Sequence, residues 1–321
     1  MSLDPKLQAF MERTGLLTKP GSAPRRPEVI LAESRESVKQ ATVAPGSTLE
    51  PVAHIENLVI PGPAGDLPVR LYTPEGIGPF PVLMFFQKSW VHGNLDTHEM
   101  MCRSLCGGAD CLVMTVDYRL APEDPFPAAL EDCYTATCWM AAHATEFQSD
   151  PIRIAVGGES GGGNFAAAVA LMSRDRGGPK LAFQLLICPV ADFRVTTDSW
   201  KDYDGYIIPK EEFLIVRDFY APSEEERLHP YAAPSLASNL HQLPPALIIT
   251  AECDPMRDGG ELYGQRLLEA GVPATVSRYA GMIHIFMHLG SMVPQANQAL
   301  DEVIHALRTA FARVDYEGTN L

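Results

Sequence analysis

Basic residues are scarce in this chain. It has 25 Lys and Arg against 40 Asp and Glu, which gives a net charge of −15 over 321 residues. A surface of that sign repels the phosphates of nucleic acids and the headgroups of anionic lipids. The composition therefore argues against nucleic-acid binding.

Paired cysteine motifs are also missing. The chain has seven cysteines, an odd number, and none of them forms a Cys-x-x-Cys pair. Neither a disulfide framework nor a zinc ribbon is indicated. Cys102, Cys106 and Cys111 lie close together in the sequence, and we interpret them as small buried hydrophobic residues. No metal and no cofactor is predicted.

Long apolar runs are absent as well. No segment approaches the roughly 18 consecutive apolar residues that a membrane span requires. The first residues lack the basic stretch followed by an apolar stretch that marks a signal peptide. We therefore predict a cytoplasmic protein without a membrane span.

Short apolar runs alternate with helix-length segments through most of the chain. Strands that alternate with helices predict βαβ units, a mostly parallel sheet and an α/β fold class. A chain of this length can form one large domain of that class. The predicted strands cover residues 82–86, 111–117, 152–157, 181–190 and 246–251, the predicted helices cover 127–142, 164–174 and 261–270, and a hairpin is predicted over 54–61 and 67–74.

Two regions fall outside this alternation. Near the N-terminus, an apolar stripe ends at Gly15, and a second short helix is predicted over residues 34–41. An aromatic-rich segment is inserted between two core strands. We predict that both regions form a helical cap over a site; the alternative is a surface excursion that packs on itself. The predicted parts are cap (1–50), catalytic domain (51–195), cap insertion (196–230) and catalytic domain (231–321).

The most informative motif is Gly-x-Ser-x-Gly at Gly158, Ser160 and Gly162. It follows an apolar strand and precedes a helical run, which is the strand–turn–helix setting of a nucleophilic serine. The helix N-terminus behind it presents free N–H groups to developing negative charge. A phosphate-binding loop is the alternative, but no lysine follows the glycines. Ser160 is therefore the predicted nucleophile.

The other two members of a Ser-His-Asp triad are sought downstream, in the order serine, acid, histidine. Asp254 ends one predicted strand, and His284 follows another, so we predict that Asp254 orients His284 and that His284 takes the proton of Ser160. Asp192 also follows a strand and is an alternative acid. Asp258 is predicted to be a helix N-cap instead. His288 lies four residues after His284, so the two histidines formally offer a metal pair, but the glutamate of a His-Glu-x-x-His motif does not accompany them.

The motifs around Ser160, Asp254 and His284 resemble those of the bacterial hormone-sensitive-lipase-like (family IV) esterases. The resemblance implies the α/β-hydrolase fold with a helical cap, a serine carboxylesterase that hydrolyses short-to-medium acyl esters of small molecules, and Asp254 rather than Asp192 as the acid. Many relatives of this kind dimerise, so a homodimer is also expected. The matching segments span residues 60–76, 90–99, 117–132, 158–164, 254–260 and 281–286.

The sequence departs from that family after the third core strand. The family carries His-Gly-Gly-Gly there, and amides of those glycines help to form the oxyanion hole. This chain has Gln87-Lys88-Ser89-Trp90, without the glycines and with a loop one residue shorter. We predict an oxyanion hole formed by Gly161, Lys88 and Ser89, with the Ser89 hydroxyl or a water molecule as a substitute donor. Losing one donor costs about 10²–10³ in rate, so a weakened enzyme is expected.

Roles are also predicted for the side chains around this loop. Lys88 either attracts acidic substrates or is a solvated loop residue. Glu159, where the family has aspartate, is expected to bond the neighbouring loop. Trp90, Tyr206 and Phe213 are predicted to contact the substrate.

Two functions remain open from the sequence. One is an ester hydrolase. The other is a non-catalytic small-molecule binding protein or receptor on the same scaffold, which the altered loop favours and the retained triad opposes.

Overall fold

The computed structural model describes residues 3–18, 25–40 and 50–317. Within these residues the strands alternate with helices, as the sequence predicts. The strands are β1 (His54–Gly62), β2 (Gly65–Thr73), β3 (Phe80–Phe86), β4 (Leu112–Val116), β5 (Ser149–Glu159), β6 (Leu181–Ile187), β7 (Ala246–Cys253) and β8 (Ala274–Ile283). The α-helices are α1 (Pro5–Thr14), α2 (Pro27–Gln40), α3 (Glu99–Ala109), α4 (Ala128–His143), α5 (Gly161–Asp175), α6 (Asp198–Tyr203), α7 (Lys210–Tyr220), α8 (Glu224–Leu228), α9 (Arg257–Glu269) and α10 (Pro294–Glu317).

One eight-stranded sheet runs through the molecule in the order β1-β2-β4-β3-β5-β6-β7-β8. The β1–β2 and β2–β4 pairs are antiparallel, and all pairs from β4–β3 to β7–β8 are parallel. Strands β3 and β4 are buried at every position, which explains why they are almost entirely apolar in sequence. The predicted α/β-hydrolase sheet is therefore confirmed.

Apolar side chains form a core on each face of the sheet. One core contains residues of α4, α5 and α9, and the other contains residues of α1, α3 and α10. Helix α5 is buried from Gly161 to Ser173, because its glycines and alanines allow it to pack closely beneath the parallel strands. This packing fixes the start of α5, where the nucleophile motif lies.

The N-terminal region and the 196–230 insertion contact each other. The Thr18 N–H donates to the Gly205 carbonyl at 3.0 Å, and Arg25 makes a two-pronged salt bridge at 2.7 Å with Glu212 of α7. Helix α2 begins at Pro27, earlier than the predicted start at residue 34, and residue 41 lies outside the described residues.

Among the described helices, none combines the length and the hydrophobicity that crossing a bilayer requires.

Candidate active site

Ser160 occupies a cramped turn between β5 and α5. Its backbone has φ 56° and ψ −117°, a conformation that is unfavourable for a residue with a side chain. The turn is held by the Ser160 N–H, which donates to the Ile187 carbonyl at 2.9 Å, and by the Ser160 carbonyl, which accepts from Asn164 at 3.1 Å. The neighbouring strand β6 and helix α5 thus keep the hydroxyl at the end of the sheet.

The two flanking glycines are required by the closeness of the backbone. A Cβ on Gly158 would overlap the Gly162 carbonyl, and a Cβ on Gly162 would overlap the Phe86 carbonyl oxygen. No side chain fits at either position without moving the backbone. The spacing of the Gly-x-Ser-x-Gly motif is therefore explained by sterics alone.

Ser160, Asp254 and His284 each directly follow a parallel strand, namely β5, β7 and β8. Since the carboxyl ends of parallel strands lie at one edge of a sheet, the three side chains meet. His284 Nε2 lies 2.9 Å from the Ser160 Oγ, and His284 Nδ1 lies 2.7 Å from Asp254 Oδ2. The other oxygen of Asp254 accepts the Met256 N–H at 2.8 Å. The geometry is that of a proton relay.

The imidazole of His284 is buried, and so is the carboxylate of Asp254. Burial opposes a charge on the ring, but the charge and hydrogen bond of Asp254 outweigh it and raise the pKa of His284 above its ordinary value. The arrangement therefore favours the imidazolium that forms when His284 takes a proton from Ser160.

The alternative residues make other contacts. Asp192 pairs with Arg194 and accepts a hydrogen bond from the Ser235 hydroxyl, and no contact joins it to His284. Asp258 lies inside the first turn of α9 and accepts the Ser199 N–H at 2.8 Å, so the prediction that it is an N-cap is wrong.

An apolar cavity of about 490 Å³ opens above the relay. Trp90 and Phe213, two of the three predicted substrate contacts, line it together with Ser160, Gly161 and His284. Tyr206 does not line it, and that prediction is wrong: its ring packs edge-on against Tyr203, with 5.4 Å between centroids. The wall is lined instead by the next two residues, Ile207 and Ile208. The aromatic composition of the insertion could not indicate these aliphatic residues.

The shortened loop after β3 is anchored by Lys88. The Lys88 ammonium is buried, donates to Asp117 at 2.9 Å and to the Tyr118 carbonyl, and lies over the Tyr118 ring. Burial lowers its pKa, although Asp117 opposes this effect. Lys88 is therefore not a solvated loop residue, and that prediction is wrong. Its ammonium is paired with Asp117, so it is not the free cation that the acidic-substrate prediction assumes.

The predicted oxyanion donors are only partly free. The Ser89 N–H donates to the His92 carbonyl at 3.0 Å, so the Ser89 amide is not a free donor as predicted. The physical reason is that the short loop closes as a turn between these two residues. The Trp90 backbone N lies beside Gly161, only 3.4 Å from the position a Gly161 Cβ would take. Among the described residues, the Gly161, Lys88 and Trp90 amides donate to no backbone carbonyl.

Glu159, next to the nucleophile, bonds two histidines that the sequence reasoning did not connect with it. Its Oε2 lies 2.9 Å from His98 Nε2 and 2.7 Å from His288 Nε2. His98 precedes α3, in the loop region expected for this contact. His288 lies in the short turn after β8 and bonds Glu159, whereas His284 bonds Ser160 and Asp254, so the two histidines do not act as a pair. No sequence motif spans these three positions.

The sequence profile of the α/β-hydrolase fold family matches residues 83–288, which is more than half of the chain. The chain belongs to the α/β-hydrolase fold family. Carboxylic ester hydrolase LipN of Mycobacterium tuberculosis is 37% identical over 321 residues, covering 98% of this chain and 84% of LipN. Esterase LipI of the same organism is 40% identical over 271 residues, covering 82% of this chain and 84% of LipI.

A solved structure agrees with these relatives. The hyperthermophilic esterase of Pyrobaculum calidifontis superimposes with a TM-score of 0.86 at 33% identity, covering 96% of this chain and 99% of that one. The predicted resemblance to hormone-sensitive-lipase-like esterases and the predicted enzyme class, a carboxylic ester hydrolase of the α/β-hydrolase fold, are therefore confirmed.

Proposed function

We propose that this chain hydrolyses esters of small molecules through a covalent acyl-enzyme formed on Ser160. The observation that carries the proposal is the continuous path from the Ser160 Oγ through His284 to Asp254, at 2.9 and 2.7 Å, on the floor of the apolar cavity. A binding protein has no need of this relay, so the alternative of a non-catalytic receptor is not favoured.

In the proposed mechanism, the Ser160 Oγ attacks the ester carbonyl while His284 Nε2 takes its proton. Asp254 holds the ring by Nδ1 and stabilises the imidazolium. The tetrahedral intermediate collapses when the C–O bond to the alcohol breaks and His284 returns the proton to the leaving oxygen. A water molecule, deprotonated by His284, then attacks the acyl-enzyme and releases the acid.

Two backbone amides are assigned to the oxyanion. The first is the Gly161 N–H at the start of α5, where the free amides of the first turn face developing negative charge. The second is the Trp90 N–H, because the Trp90 nitrogen lies beside Gly161 and the Ser89 amide is occupied. The Lys88 amide and the Ser89 hydroxyl stay as predicted alternatives.

The cavity favours uncharged esters with short-to-medium acyl chains. Its volume of about 490 Å³ lies in the range of small-ligand sites, and most of its wall is apolar. Among the described residues of the N-terminal region, Arg25 is the cation on the cavity wall, and it is paired with Glu33 and Glu212. Its charge is therefore already balanced and does not favour an acidic substrate.

The test compares hydrolysis of p-nitrophenyl butyrate by the wild type, by Ser160→Ala, and by two variants in which an aspartate becomes asparagine. These matched variants are Asp254→Asn, at the proposed triad acid, and Asp192→Asn, at the alternative acid. Asp254→Asn should lower kcat by about 10⁴, the scale seen when a triad acid is neutralised. Asp192→Asn should leave kcat nearly unchanged. Equal rates for the wild type and Ser160→Ala, or equal losses in both carboxamide variants, would contradict the assignment.

Three further predictions remain proposals. The N-terminal region and the insertion act together as a cap over the cavity, through contacts such as Arg25 with Glu212. A homodimer and a cytoplasmic location are expected from the resemblance and from the sequence.

A further inference from the structure

A second cluster of ligating side chains lies beside the nucleophile. It consists of His98, Glu159 and His288, whose ligand atoms all lie within 4.8 Å of one another. The two imidazole rings meet edge-on, with 4.8 Å between their centroids, and both direct Nε2 at the same carboxylate oxygen. The proposed ester hydrolysis uses none of these side chains.

We propose that His98, Glu159 and His288 bind a divalent transition metal ion, with Zn²⁺ as the best match, and that the bound ion inhibits the esterase. Two imidazoles and one carboxylate are a donor set that zinc accepts in proteins, with a fourth position left for water. The sequence predicts no metal, because the three residues are separated by 61 and 129 positions and form no recognisable spacing.

The existing distances are close to those of such a site. In a tetrahedral zinc site with bonds of about 2.0–2.2 Å, neighbouring ligand atoms lie roughly 3.3 Å apart. Glu159 Oε2 already lies 2.9 Å and 2.7 Å from the two Nε2 atoms. Small rotations of the three side chains would open the centre of the cluster to an ion.

Unused polar atoms mark the cluster as more than a hydrogen-bonded pair. Glu159 is 5% exposed, yet its Oε1 has no hydrogen-bond partner among the described residues. His98 Nδ1 is likewise buried without a partner there. Such atoms normally find a partner in a folded protein, and a bound ion would supply one for the carboxylate. His98 and Glu159 also line the cavity, so solvent ions can reach the cluster.

A bound metal ion would take the place of the protons that His98 and His288 now carry on Nε2. An ionised Glu159 only accepts, so each Nε2 now donates a proton to it. When the ion binds, each Nε2 lone pair goes to the metal, and its proton moves to Nδ1 of the same ring or to solvent. No oxidation or reduction is involved, which suits Zn²⁺.

Inhibition follows from position, and this part rests on the proposed function. Glu159 directly precedes Ser160, and its negative charge helps to raise the pKa of His284. A bound dication would replace that negative charge with a positive one and disfavour the imidazolium formed during attack. The rate should therefore fall as the site fills.

The experiment measures Zn²⁺ binding to the full chain by isothermal titration calorimetry, and separately measures p-nitrophenyl butyrate hydrolysis with added Zn²⁺ and after chelation. We expect one saturable site per chain and inhibition that a chelator reverses. His288→Gln should weaken binding by at least about ten-fold, since it removes one ligand. His241→Gln, at an exposed histidine elsewhere, should bind as the wild type does.

Glu159→Gln provides a second variant if His288→Gln fails to fold, and it should weaken binding as strongly. Wild-type affinity in both variants would overturn the proposal, and so would the absence of saturable binding. Zn²⁺ could also bind Cys188, Asp254 and His284, which form a second cluster of ligating atoms among the described residues. Binding that is lost in His284→Ala but kept in His288→Gln would place the ion there and refute the site. Because calorimetry needs no turnover, an inactive enzyme would not hide the result.

Discussion

A backbone amide as oxyanion donor can be tested by comparing two substitutions at Trp90. Proline has no N–H, whereas alanine keeps it. Both variants lose the indole, which stacks on Tyr220 at 4.7 Å and whose own N–H has no partner among the described residues. The ratio of kcat for Trp90→Ala to kcat for Trp90→Pro therefore isolates the amide.

The expected size of that ratio follows from the role of the donor. An amide that binds the oxyanion acts in the transition state, and removing one donor typically costs about 10²–10³ in kcat, or about 2.7–4 kcal/mol. KM should differ little between the two variants, because the ester carbonyl carries little charge before attack. The assay is steady-state hydrolysis of p-nitrophenyl butyrate, with stopped-flow traces to separate acylation from deacylation.

The comparison is meaningful only if the loop keeps its path in both variants. The Trp90 carbonyl accepts the Ala121 N–H at 3.0 Å, and this bond does not depend on the side chain. Circular dichroism and the melting temperature of the two variants should therefore agree. Equal kcat values in two folded variants would refute the Trp90 amide as the second donor and leave the Lys88 amide as the remaining backbone candidate.

Three more outcomes are expected. Since the pKa of His284 is raised, kcat/KM should increase with pH to a plateau, with a midpoint above the ordinary imidazole value of about 6.5. The stability that the His284–Asp254 ion pair contributes should be full below about pH 6.5 and lost as pH rises through the folded-state pKa of His284. A midpoint at or below 6.5 in the pH–rate profile would contradict the raised pKa. Gly162→Ala should lower the free energy of unfolding by at least about 2 kcal/mol in urea, because its Cβ would overlap the Phe86 carbonyl, and a wild-type midpoint would show that the turn can move. Lys88→Met should lower the free energy of unfolding by about 1–3 kcal/mol, which is less than the loss from breaking a fully buried ion pair, because Asp117 is 40% exposed and can be hydrated. The same variant should lower kcat more than it changes KM. Unchanged stability and kcat would show that the ammonium does not hold the loop.

The sheet and the proton relay could be predicted from the sequence because both follow from local patterns. Strands β3 and β4 are almost entirely apolar, and a sheet of parallel strands brings its carboxyl ends to one edge. Ser160, Asp254 and His284 each follow such a strand, so their meeting needs only the chain order of the triad. Sterics at the turn of Ser160 then explain the one motif with fixed spacing.

The direction of the loop amides could not be predicted in the same way. Whether the Ser89 N–H faces the cavity or the His92 carbonyl depends on how the loop closes, and no periodicity records this. The position of Lys88 depends on Asp117 and Tyr118, about thirty residues away. The position of Tyr206 could not be predicted for a related reason. Its aromatic ring suits packing in the cavity and packing against Tyr203 equally well, and tertiary packing decides between them.

The contacts of Lys88 suggest how a loop without the family's glycines can still hold a defined shape. Three successive glycines reach unusual backbone conformations easily, but they leave the loop free to adopt many others. Here the Lys88 ammonium bonds Asp117 and the Tyr118 carbonyl, while the Tyr118 hydroxyl donates back to the Lys88 carbonyl. These reciprocal bonds hold both the side chain and the backbone carbonyl of Lys88 against the segment that follows β4. A loop fixed in this way needs no conformational freedom, so its catalytic strength depends on whether the fixed path directs the Trp90 amide at the oxyanion.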